Sequence, residues 1–390
     1  LRSNHSCMHL LIAAGIFPPD IGGPATYAER LASHVSKNGH SVRVLCYSSN
    51  IEDSHLPYQV TRVKRRFLKG VTFLSYLFRL SWNAFWADCI YAQGPVAGGL
   101  QAFIVHTLIR KPYFVKVTGD YAWEQANARY GLSQDIDSFQ QHPAGVPFRV
   151  RVMNVVQKMV ARNAACCVIP SVYLQSMVIG WGVKKAHTAV IYNAAPMWDT
   201  IPTTNKITSD QTVLTVGRLV PWKGFGTLIS LWPKILAHHP NAKLIIAGDG
   251  PDVKKLQDLV ERTKLGERVL LLGKVDQEEL HRWYRQAGYF VLNSGYEGFS
   301  HVLLEAMSAG LACAVSDAGG NPELIRNGSN GLLFKYDDTD QIIACLQKLF
   351  TDSSAAERFG RAAYATSRQF SIDRMLEHTT VLLEASRKET

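Results

Sequence analysis

The segment GYEGFSHVLLEAMSAG, residues 295–310, places two glutamates eight positions apart around the start of a predicted helix. The run YFVLNS before it predicts a strand, and Ser300 is a suitable N-cap for the helix that follows. Glu297 then lies in the loop before the helix, and Glu305 lies about a turn and a half inside it, roughly 10 Å away. The segment therefore predicts a strand, a glycine-containing loop and a helix with one carboxylate in each of the last two.

The surroundings of Glu305 are mostly apolar, because positions 302–304 and 306–307 are Val, Leu, Leu, Ala and Met. A carboxylate crowded by apolar neighbours usually has a fixed partner. In the simpler interpretation Glu297 is an anion favoured by the helix N-terminus, and Glu305 is an ordinary polar-face residue. Both interpretations remain open at this point.

The same alternation of apolar strand, loop and helix extends over the whole chain. Continuous apolar strands separated by helices predict parallel sheets that are covered on both faces. The predicted strands are MHLLIAAG, SVRVLCYS, DCIYAQG, PYFVKVTG and CCVIPS, followed by TVLTVG, KLIIAG, VLLLG, YFVLNS and CAVSDAG. With 390 residues, the chain suits two domains, so the fold class is α/β with two doubly wound domains.

The boundary between the domains is predicted at 193–211, a Pro-, Thr-, Asn- and Asp-rich stretch without periodicity that resembles a linker. This gives an N-terminal domain at 1–195 and a C-terminal domain at 196–370. The tail at 371–390 has a helical pattern and is a candidate to pack back on the first domain.

Composition and charge exclude several classes of protein. The chain is 47% hydrophobic and 19% charged, which is typical of a globular protein. Its seven cysteines follow no metal-ligand or disulfide spacing, so a reducing cytoplasm is expected. The uncharged run at 89–109 contains Gly-Pro and Gly-Gly pairs and is interpreted as strand, turn and helix rather than as a membrane span. No stretch near the N-terminus has the order of a signal peptide.

Ligands of doubly wound sheets bind at the carboxyl ends of the strands, so the loops there hold the candidate site residues. In the first half, Gly22 and Gly23 precede a helix and offer close backbone approach to a phosphate, or simply a tight turn. Asp120 follows a strand, where it could contact a sugar hydroxyl or cap a helix.

In the second half, Arg218 and Lys223 lie five positions apart in a loop that ends at a helix. Two such cations can face one diphosphate, although surface cations are more often simply solvated. The segment 248–251, Gly-Asp-Gly-Pro, fits a close backbone approach or an ordinary turn.

Together these segments resemble glycosyltransferase family 4, the retaining enzymes of the GT-B fold. EGFSHVLLEAM is similar to the E-x7-E motif of that family, and GRLVPWKG to its phosphate-binding Arg and Lys. Gly22-Gly23, AGDGP and ELIRNGSNGLLF match further segments in the same order, so the resemblance covers nearly the whole chain. It implies two Rossmann-like domains that face a central cleft, the first binding an acceptor and the second a nucleotide sugar.

The resemblance also implies roles for individual residues. Glu297 and the backbone of Gly298, Phe299 and Ser300 would hold the donor sugar, and Glu305 would accept hydrogen bonds from the ribose. Arg218 and Lys223 would stabilise the leaving diphosphate of a UDP- or GDP-sugar in a front-face reaction. Many members of the family have a histidine where this chain has Asp120.

No cofactor and no metal ion are expected by this resemblance. Two Asp-x-Asp triplets occur in this chain, at 135–137 and 338–340. Such triplets bind divalent ions in other transferases. The second precedes a helix and is interpreted as a cap. His106 and His301 are interpreted as packed rather than catalytic.

The acceptor is predicted from charge. Residues 1–195 carry 20 Lys and Arg against 9 Asp and Glu, a net charge of +11, whereas the remainder carries 22 and 23. Five cations at 62–69 lead into an aromatic, apolar segment that ends at residue 86, a composition typical of a peripheral membrane anchor. We therefore expect a glycan or lipid-linked acceptor, an anionic membrane surface as a partner, no nucleic acid, and a location on the inner face of the plasma membrane. A buried helix after a solvated loop is the alternative.

Three other functions stay open. A nucleotide-sugar epimerase shares the GT-B architecture and would consume its donor without an acceptor. A non-catalytic sugar- or lipid-binding module would bind the donor but release no nucleotide. A nicotinamide oxidoreductase is disfavoured, because the chain lacks GxGxxG.

Overall fold

The computed structural model describes residues 7–20, 22–47, 56–64, 69–132, 134–143, 145–196 and 211–385. The chain divides into two compact units. Unit 1 comprises the described residues within 1–126 and 139–191 together with those from Asp373 onward, and unit 2 comprises those within 127–138 and 192–372.

Unit 1 contains a parallel sheet that is seven strands wide over the described residues. The strands are β1 (His9–Ala14), β2 (Ser41–Tyr47), β3 (Gln59–Val63), β4 (Cys89–Gln93), β5 (Tyr113–Lys116), β6 (Cys166–Ile169) and β7 (Thr188–Val190). The helices between them are α1 (Gly23–Lys37), α2 (Lys69–Trp86), α3 (Gly99–Ile109), α4 (Tyr121–Tyr130), α5 (Ile136–Gln141), α6 (Phe148–Asn163) and α7 (Val172–Gly180). The strand order is β3-β2-β1-β4-β5-β6-β7, so the direction of winding reverses between β1 and β4.

Unit 2 contains a second parallel sheet, with the order β10-β9-β8-β11-β12-β13. Its strands are β8 (Thr212–Val216), β9 (Lys243–Ala247), β10 (Val269–Gly273), β11 (Tyr289–Leu292), β12 (Ala312–Ser316) and β13 (Leu332–Phe334). Its helices are α8 (Phe225–Leu236), α9 (Val253–Arg262), α10 (Gln277–Gln286), α11 (His301–Ser308), α12 (Asn321–Leu324), α13 (Thr339–Thr351) and α14 (Ser353–Ser367). Here the winding reverses between β8 and β11.

Both faces of the second sheet are covered, which explains why its strands are continuous apolar runs. Val213 belongs to one buried cluster with Leu228 and Trp232, whereas its neighbour Leu214 belongs to another with Leu303. Because successive side chains of a strand point to opposite faces, both clusters require apolar residues at alternate positions. The predicted α/β class with two doubly wound domains is confirmed.

All ten predicted strands form, and three further strands do not correspond to any predicted segment: β3, β7 and β13. Each of the three lies at the edge of its sheet. The run at 89–109 forms β4, a turn and α3, as predicted. Among the described residues, no helix combines the length and the apolar composition that crossing a bilayer requires.

The predicted linker at 193–211 is wrong at its start. Asn193 is buried and donates a hydrogen bond from Nδ2 to the carbonyl of Phe299 at 3.2 Å, and the N–H of Ala195 donates to the carbonyl of Phe370 at 2.8 Å. These residues are anchored in unit 2, because the polar Asn side chain satisfies a buried carbonyl. The rest of the predicted linker, 197–210, lies outside the described residues.

The final helix, α15 (Ile372–Ala385), packs within unit 1. The hydroxyl of Thr379 lies 3.3 Å from that of Tyr27 on α1. Glu384 Oε1 lies 2.8 Å from Nε2 of the buried His40. The helix thus covers α1 and the start of β2.

The glycines of the 248–251 turn serve packing inside unit 2. A Cβ on Gly248, whose φ is +148°, would collide with the carbonyl oxygen of Gly217. A Cβ on Gly250 would collide with the backbone of Leu219. The close backbone approach expected here is therefore made to the chain itself, and it holds the loop after β8 in place.

We expect Gly248→Ala to lower the free energy of unfolding by more than about 2 kcal/mol, because the methyl group would overlap a backbone oxygen. Gly226→Ala is the control, since the nearest atom to its Cβ is 4.0 Å away and the position is helical. This control should be neutral or slightly stabilising. Urea unfolding of both variants measures the difference, and equal stabilities would contradict the packing role.

Candidate functional site

The candidate site of unit 2 lies where the sheet reverses its winding. Strands β8 and β11 are direct neighbours, so the loops that follow them lie side by side. The N–H of Gly295 donates to the carbonyl of Trp222 at 2.7 Å, and Asn293 Nδ2 donates to the carbonyl of Gly224 at 3.2 Å. These bonds join the loop that carries the two cations to the loop that carries Glu297.

Lys223 and Glu297 form an ion pair across the two loops, with 2.5 Å between Nζ and Oε1. The two side chains are only 15% and 10% exposed. A buried charge is costly unless it is paired, so each of these groups stabilises the position of the other. The sequence predicted both residues for the site but not their contact.

Arg218 lies in the same loop as Lys223, and its side chain is exposed. The two cations predicted for the diphosphate therefore have different environments. Lys223 is partly buried and paired with Glu297, whereas Arg218 is exposed to solvent.

The Glu297 loop is packed against a second pair of glycines. Gly319, with a φ of +62°, lies so close to the carbonyl of Glu297 that a Cβ would collide with it. The N–H of Gly320 donates to that carbonyl at 2.8 Å, and a Cβ on Gly320 would meet the carbonyl of Gly298. The loop backbone is therefore fixed by contact with the Ala-Gly-Gly turn after β12.

Phe299 and Ser300 anchor the start of the helix α11. The ring of Phe299 is buried between Tyr192 and Phe370, with ring centres 5.0 and 5.5 Å away. Ser300 is the N-cap, and its hydroxyl accepts from the N–H of Leu303 at 3.3 Å. The predicted cap is confirmed. These two side chains are used for packing and capping, which leaves only their backbone for the predicted donor contact.

Glu305 has the fixed partner that its apolar neighbours suggested. Tyr284, a buried residue on α10, donates a hydrogen bond from its hydroxyl to Glu305 Oε2 at 2.8 Å. Burial raises the pKa of the Glu305 carboxyl above its usual range, and the bond from Tyr284 only partly offsets this. Glu305 is held in one orientation at a cost in stability, as is typical of a binding residue.

A buried amide between the two loops escaped the sequence reasoning. Asn293 donates from Nδ2 to Asp337 Oδ1 at 2.8 Å and accepts from the N–H of Asp337 at 3.0 Å. The Asn293 side chain packs against Gly224, which has a φ of +58°. A Cβ on Gly224 would collide with the Asn293 amide. Since Asn293 follows the β11 strand, its place at a strand end is the only signal that the sequence offers.

In unit 1, Gly22 is the N-cap of α1 with a φ of +155°, and Gly23 begins that helix.

Asp120 is completely buried, and both of its oxygens accept hydrogen bonds. Trp123 N–H donates to Oδ1 at 2.8 Å, and Gln140 Nε2 donates to Oδ2. Burial raises the pKa of Asp120, against the effect of these bonds. Asp120 therefore makes the contacts of a helix cap, and its catalytic role stays a prediction.

A buried lysine at the carboxyl end of β5 was also not predicted. Lys116 is 7% exposed, and its ammonium lies 3.3 Å from the ring centre of Tyr27. Burial lowers the pKa of Lys116 to about 7. Its register partner Gln93 on β4 is buried as well, and its Nε2 has no hydrogen-bond partner among the residues that the structure describes. Nothing in the sequence indicated the burial of Lys116, because a lysine that ends an apolar strand usually reaches solvent.

The candidate metal ligands and histidines have ordinary partners. Asp135 accepts from the N–H of Ser138, and Asp338 caps α13. Among the described residues, no group of three or more His, Cys, Asp or Glu side chains is placed to hold a metal ion. His106 packs against Tyr113 as predicted, with ring centres 5.5 Å apart. The packed interpretation of His301 is wrong, because this first residue of α11 is exposed.

Two family descriptions match this chain, one for each unit. "Glycosyl transferases group 1" matches residues 197–366, and "Glycosyl transferase 4-like domain" matches residues 22–194. The chain is therefore a glycosyltransferase, and its fold is of the GT-B type.

Curated relatives differ in how much of the chain they match. An uncharacterized glycosyltransferase of Methanocaldococcus jannaschii is 26% identical over 361 residues, which cover 88% of this chain and 90% of the relative. The phosphatidylinositol N-acetylglucosaminyltransferase GPI3 subunit of Saccharomyces cerevisiae is 32% identical over 160 residues. That match covers 39% of this chain, and the chain spans only 35% of the yeast subunit.

Solved structures match over nearly the whole chain. Sucrose-phosphate synthase from Thermosynechococcus elongatus has a TM-score of 0.81 and 18% identity, with 99% of this chain and 100% of that one covered. Anabaena HepE in complex with UDP-glucose has a TM-score of 0.73 and 20% identity, with 97% and 100% covered. These similarities concern the fold.

We expect Glu305→Gln to raise the melting temperature of the protein in buffer at about pH 7.5. The folded-state pKa of Glu305 is raised, so ionisation destabilises the folded state as the pH rises, and a neutral amide removes that cost. The gain should shrink near pH 4, where the wild-type carboxyl is protonated as well. The same variant should lose most of the stabilisation that a nucleoside diphosphate confers.

Thermal unfolding with and without UDP or GDP measures both effects. The control is Glu261→Gln on the exposed surface of α9, which should change neither. A variant that is less stable than the wild type at about pH 7.5, or that responds to the nucleotide as strongly, contradicts the role given to Glu305.

Proposed function

We propose that this glycosyltransferase moves a sugar from a nucleoside diphosphate sugar to an acceptor hydroxyl with retention of the anomeric configuration. The observation that supports this best is the largely buried ion pair between Lys223 and Glu297, whose side chains are 15% and 10% exposed, on neighbouring strand-end loops. A cation for phosphate and a carboxylate for sugar hydroxyls thereby stand 2.5 Å apart, where the two halves of a sugar–phosphate bond would meet.

Binding of the donor exchanges partners at this pair. The diphosphate carries more negative charge than one carboxylate and draws the ammonium of Lys223 toward itself. Glu297, relieved of its cation, then accepts hydrogen bonds from hydroxyls of the donor sugar. The exposed guanidinium of Arg218 is free to reach the same diphosphate from the solvent side.

Glu305 binds the nucleoside end of the donor. Its carboxylate is oriented by Tyr284 through one oxygen, which leaves the other to accept from ribose hydroxyls. The backbone of Gly298, Phe299 and Ser300 lies between the two glutamates in sequence and supports the sugar.

The reaction breaks the bond between the anomeric carbon and the phosphate oxygen and forms a bond from that carbon to the acceptor oxygen on the same face. The proton of the acceptor hydroxyl goes to the departing phosphate. Lys223 and Arg218 stabilise the charge that develops on this leaving group, so the reaction proceeds without a metal ion. Asp120 is assigned to the acceptor side in a positioning role, because its buried carboxylate fixes the start of α4 through Trp123 and Gln140.

UDP is the first choice for the nucleotide of the donor, and GDP is the second. HepE, which shares the fold, binds UDP-glucose, and this is the reason for the order.

The acceptor is proposed to be lipid-linked or otherwise membrane-borne. The excess of cations in residues 1–195 is one reason. The other is α2, which follows the basic run and exposes Leu74, Phe78, Trp82 and Phe85 by 64 to 72%. Arg65 and Arg66 of that run lie outside the described residues. The alternative of a buried helix after a solvated loop holds for one face of α2 only, since Tyr76 and Leu80 are buried but Phe78 is exposed. The proposed location is peripheral, at the inner face of the plasma membrane.

We expect Lys223→Met to lower kcat for sugar transfer by roughly tenfold to a thousandfold, because it removes one charge that stabilises the leaving group. Lys335→Met is the matched control, since Lys335 also pairs with a carboxylate, Asp317, but is 70% exposed. The control should keep nearly full activity.

Steady-state kinetics of nucleotide release with a panel of nucleotide sugars measures the effect, with and without EDTA. Full activity of Lys223→Met, or loss of wild-type activity on chelation, overturns the mechanism. Consumption of the donor at an unchanged rate without any acceptor would instead favour an epimerase.

A further inference from the structure

One face of the helix α2 is buried, and the opposite face is exposed. Tyr76, Leu80 and Ala84 are completely buried against the sheet. Phe78 and Trp82, half a turn away from them, are 71% and 72% exposed. A row of large exposed apolar side chains on one helix is unfavourable in water and marks an interaction surface.

This surface continues over two neighbouring helices. α2 packs against α3, and α3 packs against α6. The connections that contain them all run in the same direction along the sheet, so right-handed crossovers place the three helices on one face. Exposed side chains on the other two helices are Leu108 (70%), Phe148 (79%) and Val155 (66%).

The charged residues of these helices are all of one sign. The sequences of α2, α3 and α6 contain no acidic residue. Their cations are Lys69, Arg79, Arg149, Arg151, Lys158 and Arg162. An apolar surface on helices that carry cations and no acidic residue is complementary to an anionic lipid surface.

A groove of about 680 Å³ lies beside α2, between this helix and the edge of the sheet. It is lined by Arg43, Gln59, Thr61, Ser75, Phe78, Arg79, Trp82 and Asn83, none of which is acidic. Two guanidinium groups, several amides and hydroxyls, and two aromatic side chains thus border one concave space. A guanidinium group can donate two parallel hydrogen bonds to phosphate oxygens. Trp is favoured at the boundary between lipid headgroups and acyl chains.

The site is held in place from within the unit. Arg43 donates from one terminal nitrogen to Asn83 Oδ1 at 3.1 Å, and its guanidinium lies 4.1 Å from the ring centre of Trp86. Arg43 and Gln59 are register partners on β2 and β3, so their side chains point to the same face of the sheet. One cation of the groove is therefore fixed, and the other, Arg79, is exposed at its mouth.

We propose that this groove binds the phosphate of an anionic phospholipid, while the Leu74–Phe85 stripe of α2 enters the outer part of the acyl layer. The inference rests on the membrane-borne acceptor proposed above and adds a specific lipid-binding site to it. The helix then lies in the plane of the membrane surface.

The test is co-sedimentation of the whole chain with vesicles of phosphatidylcholine alone or with phosphatidylglycerol added. Arg79→Gln should lower the partition coefficient on the anionic vesicles about fivefold, the equivalent of about 1 kcal/mol. Arg30→Gln is the matched control, because it removes the same charge from an exposed position on α1, a helix outside the α2–α3–α6 layer. It should change the partition less than about twofold. Trp82→Gln should weaken binding while leaving the charge unchanged.

Equal losses of vesicle binding in Arg79→Gln and Arg30→Gln would contradict phosphate binding in the groove, as would wild-type protein that stays in the supernatant with anionic vesicles.

A second outcome concerns the source of the phosphate. Release of bound protein by millimolar glycerol phosphate, with sodium chloride of equal ionic strength as the reference, would show that the groove binds a soluble phosphate and would contradict the lipid. Binding of UDP or GDP measured by calorimetry without vesicles separates this inference from the proposed function. Arg79→Gln should leave that nucleotide affinity unchanged, and a chain that binds vesicles as expected but binds neither nucleotide refutes the proposed function alone.

Discussion

The ion pair between Lys223 and Glu297 is the contact on which the candidate site depends. Two charges with side chains that are 15% and 10% exposed are stable only because they lie against each other, and they therefore determine how the loops after β8 and β11 sit. The surrounding backbone leaves little freedom, since Gly319 and Gly320 contact the Glu297 loop with no space for a side chain. Any anion that displaces Glu297 from Lys223 must change both loops together.

The division of labour in unit 2 follows from burial. Glu297 has a cationic partner, whereas Glu305 pairs with the neutral hydroxyl of Tyr284, and burial raises the pKa of Glu305. In the proposed function the first carboxylate exchanges its partner when the donor binds, whereas the second is held in one orientation by Tyr284. The distance of eight positions in the sequence separates two different environments rather than an acid and a base.

The sequence predicts what depends on continuous apolar runs and on glycine loops. The nine interior strands were found, and so was the edge strand β10, whose run VLLLG is apolar. The edge strands β3, β7 and β13 were missed because each offers only three to five residues without a long apolar run. Ser300 could be assigned as a cap from its residue type alone. The partners of Glu305 and Asn293 could not be found, since Tyr284 and Asp337 are brought to them only by tertiary packing. The two faces of α2 were hidden for the same reason, because an all-apolar helix does not reveal which side the sheet covers.

The most direct test of the account compares the affinity of the protein for UDP and UMP, or for GDP and GMP if the guanosine nucleotides bind better. The two ligands differ only in the phosphate that Lys223 is proposed to bind. Titration calorimetry should show at least tenfold tighter binding of the diphosphate to the wild type, as expected for a hydrogen bond between charged groups. This preference should largely disappear in Lys223→Met, and Glu297→Gln should bind the diphosphate more tightly than the wild type, because the ammonium is no longer held by the carboxylate. A Lys223→Met variant that keeps the full preference for the diphosphate would contradict the account.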